Sequence, residues 1–236
     1  MNAKHEKTLQ RIQDIHRAKP RSGHPLWQAL LRGSLNKAQV QEHVKQFSII
    51  PLYNHLYHGR LYVGCPDPEW RSMLAEVCYE EGTGRLFAGG ISHHFLYLRL
   101  GEALGISKEE MYATKFCAEA LALRAYFEYI CAKNTLEGVA GHMLGAEAQV
   151  PGTSGRAGEA LQKQFGLTDD DIAFYTVHEE ADEEHTSIGL RLLERFAENN
   201  EDLDLVVKTV QNMVDVHYVF YDGIYKRVQA MQQARH

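Results

Sequence analysis

The chain has 236 residues, 44% of them hydrophobic and 24% charged, the composition of a soluble globular protein with length enough for one large domain. Acidic residues outnumber basic ones 31 to 25, and the net charge of -6 without a long basic run argues against a nucleic-acid or anionic-membrane partner. No stretch approaches the roughly 18 apolar residues that span a bilayer, the first 25 residues lack a signal-peptide core, and Cys65, Cys78, Cys117 and Cys131 show no CxxC spacing, as expected of reduced thiols in a cytoplasmic protein.

In chain order, the pattern predicts helices near 3–17, 25–32, 37 to about 60, 68–81, 92–104, 108–132, 135–148, 155–165, 169–197 and 202–233. Their starts are marked by Asn36 before Gln39, Ser107 before Glu110, Asn134 before Glu137, Thr168 before Asp171, and Asp67 before Pro68. Their stops fall at Gly33, the 63–66 and 82–84 stretches, Gly105, the 150–155 stretch and the 198–202 stretch. Short connections and apolar residues at three- and four-residue steps predict one all-α domain over 1–236, a multi-helix bundle.

One stretch carries chemistry. In residues 178–185, HEEADEEH, helical spacing puts His178, Asp182 and His185 on one face, with Glu180, Glu183 and Glu184 on other sides. Imidazole and carboxylate donors in that stripe suit iron, manganese or zinc, and the competing reading is an acidic surface helix with incidental histidines. Glu147 lies in a small-residue, apolar helix where an uncompensated carboxylate is expensive, so it needs a cation or a hydrogen-bonding partner. Glu80 and Glu81 end the 68–81 helix, where a pair of carboxylates more often closes an exposed helix end, and His93 and His94 open the next, one of the two expected to face inward. Tyr53, His55 and Tyr57 read as core hydroxyls and imidazole or as a pocket lining, and His217 as a core or pocket histidine. Neither a phosphate-binding glycine loop nor a nucleophile elbow is present in the sequence.

Glu80–His93, the EAQVP run at 147–151 and the HEEADEEH run together resemble the heme-oxygenase-like di-iron oxidases and oxygenases. Among these, the chain is most similar to the group of the Chlamydia protein associating with death domains (CADD) and its PqqC-like relatives, from about His24 to about Phe196. The resemblance implies a heme-oxygenase-like bundle and iron ligands at Glu80, His93, Glu147, His178, Asp182 and His185, with Glu81 and His94 as the alternatives at two places. It implies two irons per chain cycling between Fe(II) and Fe(III), O2 as co-substrate, and a small organic substrate; a homodimer is compatible with the fold. CADD-like proteins make 4-aminobenzoate with pocket tyrosines and a lysine. Where that pattern has tyrosines this chain has Trp27 and His43, and no matching lysine stands around Arg156. Trp27, His43, Tyr53 and His217 are the expected substrate-pocket residues. A metal-free PqqC-type oxidase and a helical interaction protein with a vestigial metal site are the competing expectations.

Overall fold

The computed structural model describes residues 3–233, apart from the side chains of Ala3, Glu180 and Gln233, which lie outside the described residues. All regular structure in that range is helical: α1 (Ala3–Ala18), α2 (Pro25–Leu31), α3 (Lys37–Phe47), α4 (Asn54–Gly64), α5 (Pro68–Thr83), α6 (His93–Ala103), α7 (Lys108–Tyr112), α8 (Ala118–Lys133), α9 (Thr135–Val139), α10 (Ser154–Phe165), α11 (Ala173–Phe196) and α12 (Asn200–Gln233). A short 3-10 turn, Arg21–Gly23, joins α1 to α2. No helix among the described residues is long and apolar enough to cross a membrane.

The caps read from sequence form as expected. Asn36 with Gln39 and Ser107 with Glu110 make reciprocal capping boxes, and Asp67 accepts from the backbone of Glu69 and Trp70. Two expected helices are divided. The helix expected over 37–60 breaks between Phe47 and Asn54, where Pro51 has no amide to give to a helical ladder. The helix expected over 108–132 breaks at 113–117 although no proline intervenes. There Gln46 of α3 takes both sides of the chain, accepting from the Cys117 amide and donating to the Lys115 carbonyl, a tertiary contact overriding local propensity.

A third departure shapes the site. The helix expected over 135–148 is α-helical only to Val139; Ala140–Ala146 then widens into a π-helix, and Glu147–Gln149 tightens into a 3-10 turn. This segment is wedged against α11 and α12. Glycines permit the approach: a Cβ on Gly141 would fall 2.3 Å from Ile130 Cδ1 of α8, and one on Gly145 would fall 2.9 Å from Met213 Cβ of α12. Aromatic and aliphatic side chains fill the interior around it, among them Trp27, Phe47, Tyr57, Tyr97, Phe127, Tyr175 and Phe220. A second apolar cluster of Ile12, Leu144, Leu193, Val206 and Val210 ties α1 to the far ends of α11 and α12.

Candidate metal centre

Inside this bundle, polar groups of five segments meet in an otherwise apolar interior. Three groups of side chains have donor atoms within 4.8 Å of one another, all buried: Glu81 with His93 and His178; Glu147 with Asp182 and His185; and Glu147 with His58 and His142. Glu147 is common to two of them.

Helical register explains most of the convergence. On α11 the buried stripe runs Phe174, Ala181, His185, Ile188, Leu192, with His178 and Asp182 on the same side, while Glu183 and Glu184 are exposed. Glu179 has a separate role, accepting from the amides of Gly152 and Gly155 and so fastening the 150–155 loop to α11. On α5, Trp70, Leu74, Val77 and Glu81 are buried at four-, three- and four-residue steps, which directs Glu81 to the centre. The structure thus groups Glu81, and not Glu80, with the inward donor atoms of His93 and His178. Glu80 is spent elsewhere: it accepts from the Leu86 and Phe87 amides at 2.6 and 3.2 Å, and lies 3.1 Å from His93 Nε2. It therefore pins the 84–91 loop and orients the His93 ring, leaving Nδ1 to face inward. Gly84, with φ of 62°, makes the turn possible, because a Cβ there would fall 1.9 Å from the Ile91 carbonyl oxygen. His94 points away to an exposed contact with the Tyr112 hydroxyl, 2.7 Å from its Nε2.

The donor atoms fit a metal ion better than they fit one another. Glu81 Oε1, His93 Nδ1, Glu147 Oε2, Asp182 Oδ1 and His185 Nδ1 are all buried and lack a hydrogen-bond partner among the described residues, which an interior does not tolerate without a reason. Glu81 Oε1 and His93 Nδ1 stand 3.0 Å apart, and His185 Nδ1 lies 3.4 Å from Glu147 Oε2 and 3.6 Å from Asp182 Oδ1. Ligand atoms about 2.1 Å from one cation stand roughly 3 Å apart, so these separations are those of neighbours around an ion. The His178 ring is set for the same purpose: its Nδ1 lies 2.6 Å from the Phe174 carbonyl, to which it donates, leaving the Nε2 lone pair free. Carboxylate and imidazole donors without a thiolate in any group suit iron or manganese rather than a structural zinc site.

His58 and His142 were not singled out by sequence. His142 Nε2 lies 2.9 Å from Glu147 Oε1 and His58 Nε2 lies 3.3 Å from it. A five-residue interval does not share an α-helical face; the wide π turn brings His142 and Glu147 together. The signal in the sequence was the run of glycines around His142, at 138, 141 and 145. His58 directly follows Tyr57 on α4. Tyr53 is not on the cavity wall. The break at Pro51 leaves it at the start of α4, where its ring packs under the Arg124 guanidinium at 3.9 Å. His55 is exposed, and Tyr57 is buried against Phe127 with ring centroids 4.7 Å apart.

An apolar cavity opens against the donor groups. Trp27, Phe47, Ile50, Phe127, Phe174 and Tyr175 supply its walls, Glu81, His142, Glu147, His178 and Asp182 its metal-facing side, and His217 and Arg21 further polar groups. Of the residues expected at a substrate pocket, Trp27 and His217 line this cavity and Tyr53 does not. His43 lies behind the wall, edge-on to Trp27 with ring centroids 5.7 Å apart.

Burial and charge set the protonation of the metal-free centre. Burial alone would lower His93, His142 and His185. The Glu81 carboxylate reverses this for His93, raising it to about 9, and Glu147 raises His142 to about 10 and His185 to about 9. Against burial, the same histidines hold Glu81 and Glu147 below the usual carboxylate range. Asp182 goes the other way: burial and the adjacent Glu147 charge hold it well above that range, so it is a neutral acid. Burial lowers His43 to about 4, and lowers His178 and His217 to about 3, keeping all three neutral.

A pH dependence follows. His93, His142 and His185 have folded pKa values above the unfolded 6.5, so their stabilisation is complete below 6.5 and is lost as pH rises through 9 to 10. Urea unfolding of the chelator-treated chain should show a loss of about 3 kcal/mol or more between pH 6.5 and pH 9.5. Bound metal displaces those protons, so the loaded chain should lose much less. Equal stability of the chelated chain at both pH values would contradict this charge assignment.

The fold and the site together define an all-α protein of the heme-oxygenase-like class, with a buried carboxylate–histidine centre. Solved structures share the fold: a CADD-like protein of unknown function from Nostoc punctiforme (TM-score 0.78, 17% identity, 96% of this chain and 99% of that one) and a TenA homologue from Pseudomonas syringae (TM-score 0.77, 11% identity, 95% and 93%). A protein from Shewanella denitrificans described as having a heme oxygenase-like fold superposes with TM-score 0.75 at 20% identity, covering 96% of this chain and 92% of that one. Residues 41–218 match the family described as "Iron-containing redox enzyme", and the chain belongs to it. Curated relatives named 4-aminobenzoate synthase are 27% identical in Chlamydia pneumoniae, over 89% of each chain, and 23% identical in Nitrosomonas europaea, over 92% of this chain and 90% of that one.

Proposed function

We propose that the chain is an O2-dependent non-heme di-iron oxidase or oxygenase acting on a small organic substrate. The observation that carries the reading is the set of orphaned donor atoms on Glu81, His93, Glu147, Asp182 and His185, buried beside an apolar cavity. Two Fe(II) ions would supply the electrons with which O2 is reduced while a substrate bond is oxidised. One would be held by Glu81, His93 and His178, the other by Asp182 and His185, with Glu147 between Asp182, His185 and the His58–His142 pair.

The chain's own contribution is positional. Glu80 fixes the His93 ring and the Phe174 carbonyl fixes His178, so ligand geometry is set before metal arrives. Phe47, Phe127 and Phe174 exclude water from the cavity, which strengthens every charge interaction inside it. The neutral Asp182 acid and the protonated His93, His142 and His185 are the protons that metal must displace.

Synthesis of 4-aminobenzoate, the activity named for the curated relatives, is a narrower reading that the pocket disfavours. The resemblance associates that activity with pocket tyrosines and a lysine; at the matching positions this chain has Trp27 on the cavity wall and His43 behind it, a neutral imidazole. Oxidation of a separate substrate, held in the cavity, is the reading adopted. The test is to load the chelator-treated chain with Fe(II) under anaerobic conditions and admit O2. Iron-dependent O2 consumption with a transient visible absorption is expected. O2 consumption that persists without iron supports metal-free oxidase chemistry, and no reaction with or without iron supports a non-catalytic role.

A further inference from the structure

The far side of the cavity holds a cation that the metal centre does not explain. Arg21 sits in the 3-10 turn between α1 and α2, is only 7% exposed, and lines the cavity together with the donor groups. Its position is fixed: its backbone amide donates to Gln149 Oε1 at 2.7 Å, just beyond Glu147, and its Nε donates to the Tyr221 hydroxyl at 3.0 Å. The guanidinium stacks 5.2 Å from the Trp27 ring. Among the described residues no carboxylate pairs with it, and neither terminal nitrogen has a protein acceptor. A buried, unpaired guanidinium costs several kcal/mol, and arginine with both terminal nitrogens open is the side chain best shaped to grip a carboxylate at two points.

Other orphaned polar atoms share this cavity. The Tyr175 hydroxyl is buried without a partner and can donate. His217 Nδ1 donates to the Met213 carbonyl at 2.9 Å, so its Nε2, also without a partner, is an acceptor. Both lie within electrostatic reach of Arg21, as does Asp182. The remaining wall is aromatic and aliphatic.

Charge balance points the same way. Two bound divalent ions would bring four positive charges and Arg21 one, against three negative charges from ionised Glu81, Glu147 and Asp182. The loaded cavity is therefore cationic and favours an anionic guest. A single guanidinium and one hydroxyl donor match a monoanion, not a phosphate dianion, which needs more donors.

We infer that the cavity binds a small, largely apolar carboxylic acid, with its carboxylate on Arg21 and the Tyr175 hydroxyl and an O–H or N–H group on His217 Nε2. Its body then lies along Trp27, Phe127 and Phe174 toward the metal ligands. This rests on the cavity being the substrate site of the proposed oxidase, but the binding step itself does not require iron.

The test uses benzoate and 4-hydroxybenzoate as probes and benzamide as the neutral isostere, followed by calorimetry and by fluorescence, for which Trp27 is a reporter beside Arg21. Binding is measured on the iron-free chain and again after anaerobic Fe(II) loading. Benzoate is expected to bind at least about tenfold more tightly than benzamide in both forms, with 4-hydroxybenzoate tighter still. Arg21→Met should abolish the preference for the anion and Arg21→Lys should restore part of it. Equal binding of benzoate and benzamide by the unaltered chain overturns the inference, whether or not the variants fold, and so does an undiminished preference in Arg21→Met. Preference confined to the iron-loaded form also overturns it, since the carboxylate would then be held by metal. Carboxylate preference in a chain that takes up no iron leaves this inference standing and removes the di-iron reading.

Discussion

Glu147→Gln should have the largest effect of any single substitution at the centre, lowering iron content from about two per chain to below about one and destabilising the metal-free chain by about 3–5 kcal/mol. Both effects have one cause. Glu147 belongs to two donor groups and touches three histidines, with His142 at 2.9 Å, His58 at 3.3 Å and His185 at 3.4 Å. In the metal-free chain it is the counter-charge that keeps His142 and His185 protonated. Glutamine matches the shape but removes the charge, so those imidazoles must become neutral or remain as unpaired cations. The alkaline loss of stability should shrink in the same variant. Metal analysis after anaerobic reconstitution, with urea unfolding at pH 7, checks both parts; retention of about two irons would contradict the shared role.

Asp182→Asn should separate metal binding from folding. Asp182 is more deeply buried than Glu147, and burial with the adjacent Glu147 charge keeps it a neutral acid without metal. Asparagine is close in shape to that acid, so the stability of the metal-free chain should change by less than about 1 kcal/mol. Iron requires the carboxylate, and its removal takes away one of three donors in the Glu147–Asp182–His185 group. Iron content should fall to about one per chain while the Glu81–His93–His178 group remains able to hold an ion. Destabilisation as large as that of Glu147→Gln, or an unchanged iron content, would contradict the protonation pattern or the ligand role respectively.

The helical architecture was legible because it depends on local signals. Asn36, Asp67 and Ser107 announce their helices through side chains that reach only two or three residues onward. The stripe of His178, Asp182 and His185 was legible for a similar reason, since α11 is regular and its exposed face is marked by Glu183 and Glu184. Legibility ended where position depends on partners distant in sequence. The break at 113–117 is held by Gln46 on another helix. Adjacent glutamates on α5 are both buried, and their separate roles emerge only when the 84–91 loop folds back to give Glu80 its amide donors. His142 was hidden because α-helical spacing turns it away from Glu147, and only the π-helical segment packed against α12 brings them together. Arg21 was hidden for a related reason: nothing in its neighbourhood of the sequence reveals that the α1–α2 turn closes over the cavity.

The central claim is that these orphaned carboxylates and imidazoles form one centre for two metal ions. An anaerobic equilibrium titration of the chelator-treated chain with Fe(II), read by metal content after gel filtration, tests it most directly. Saturation is expected at about two irons per chain, with protons released as His93, His142 and His185 give up theirs. Saturation below one iron per chain, or uptake without proton release, would contradict it.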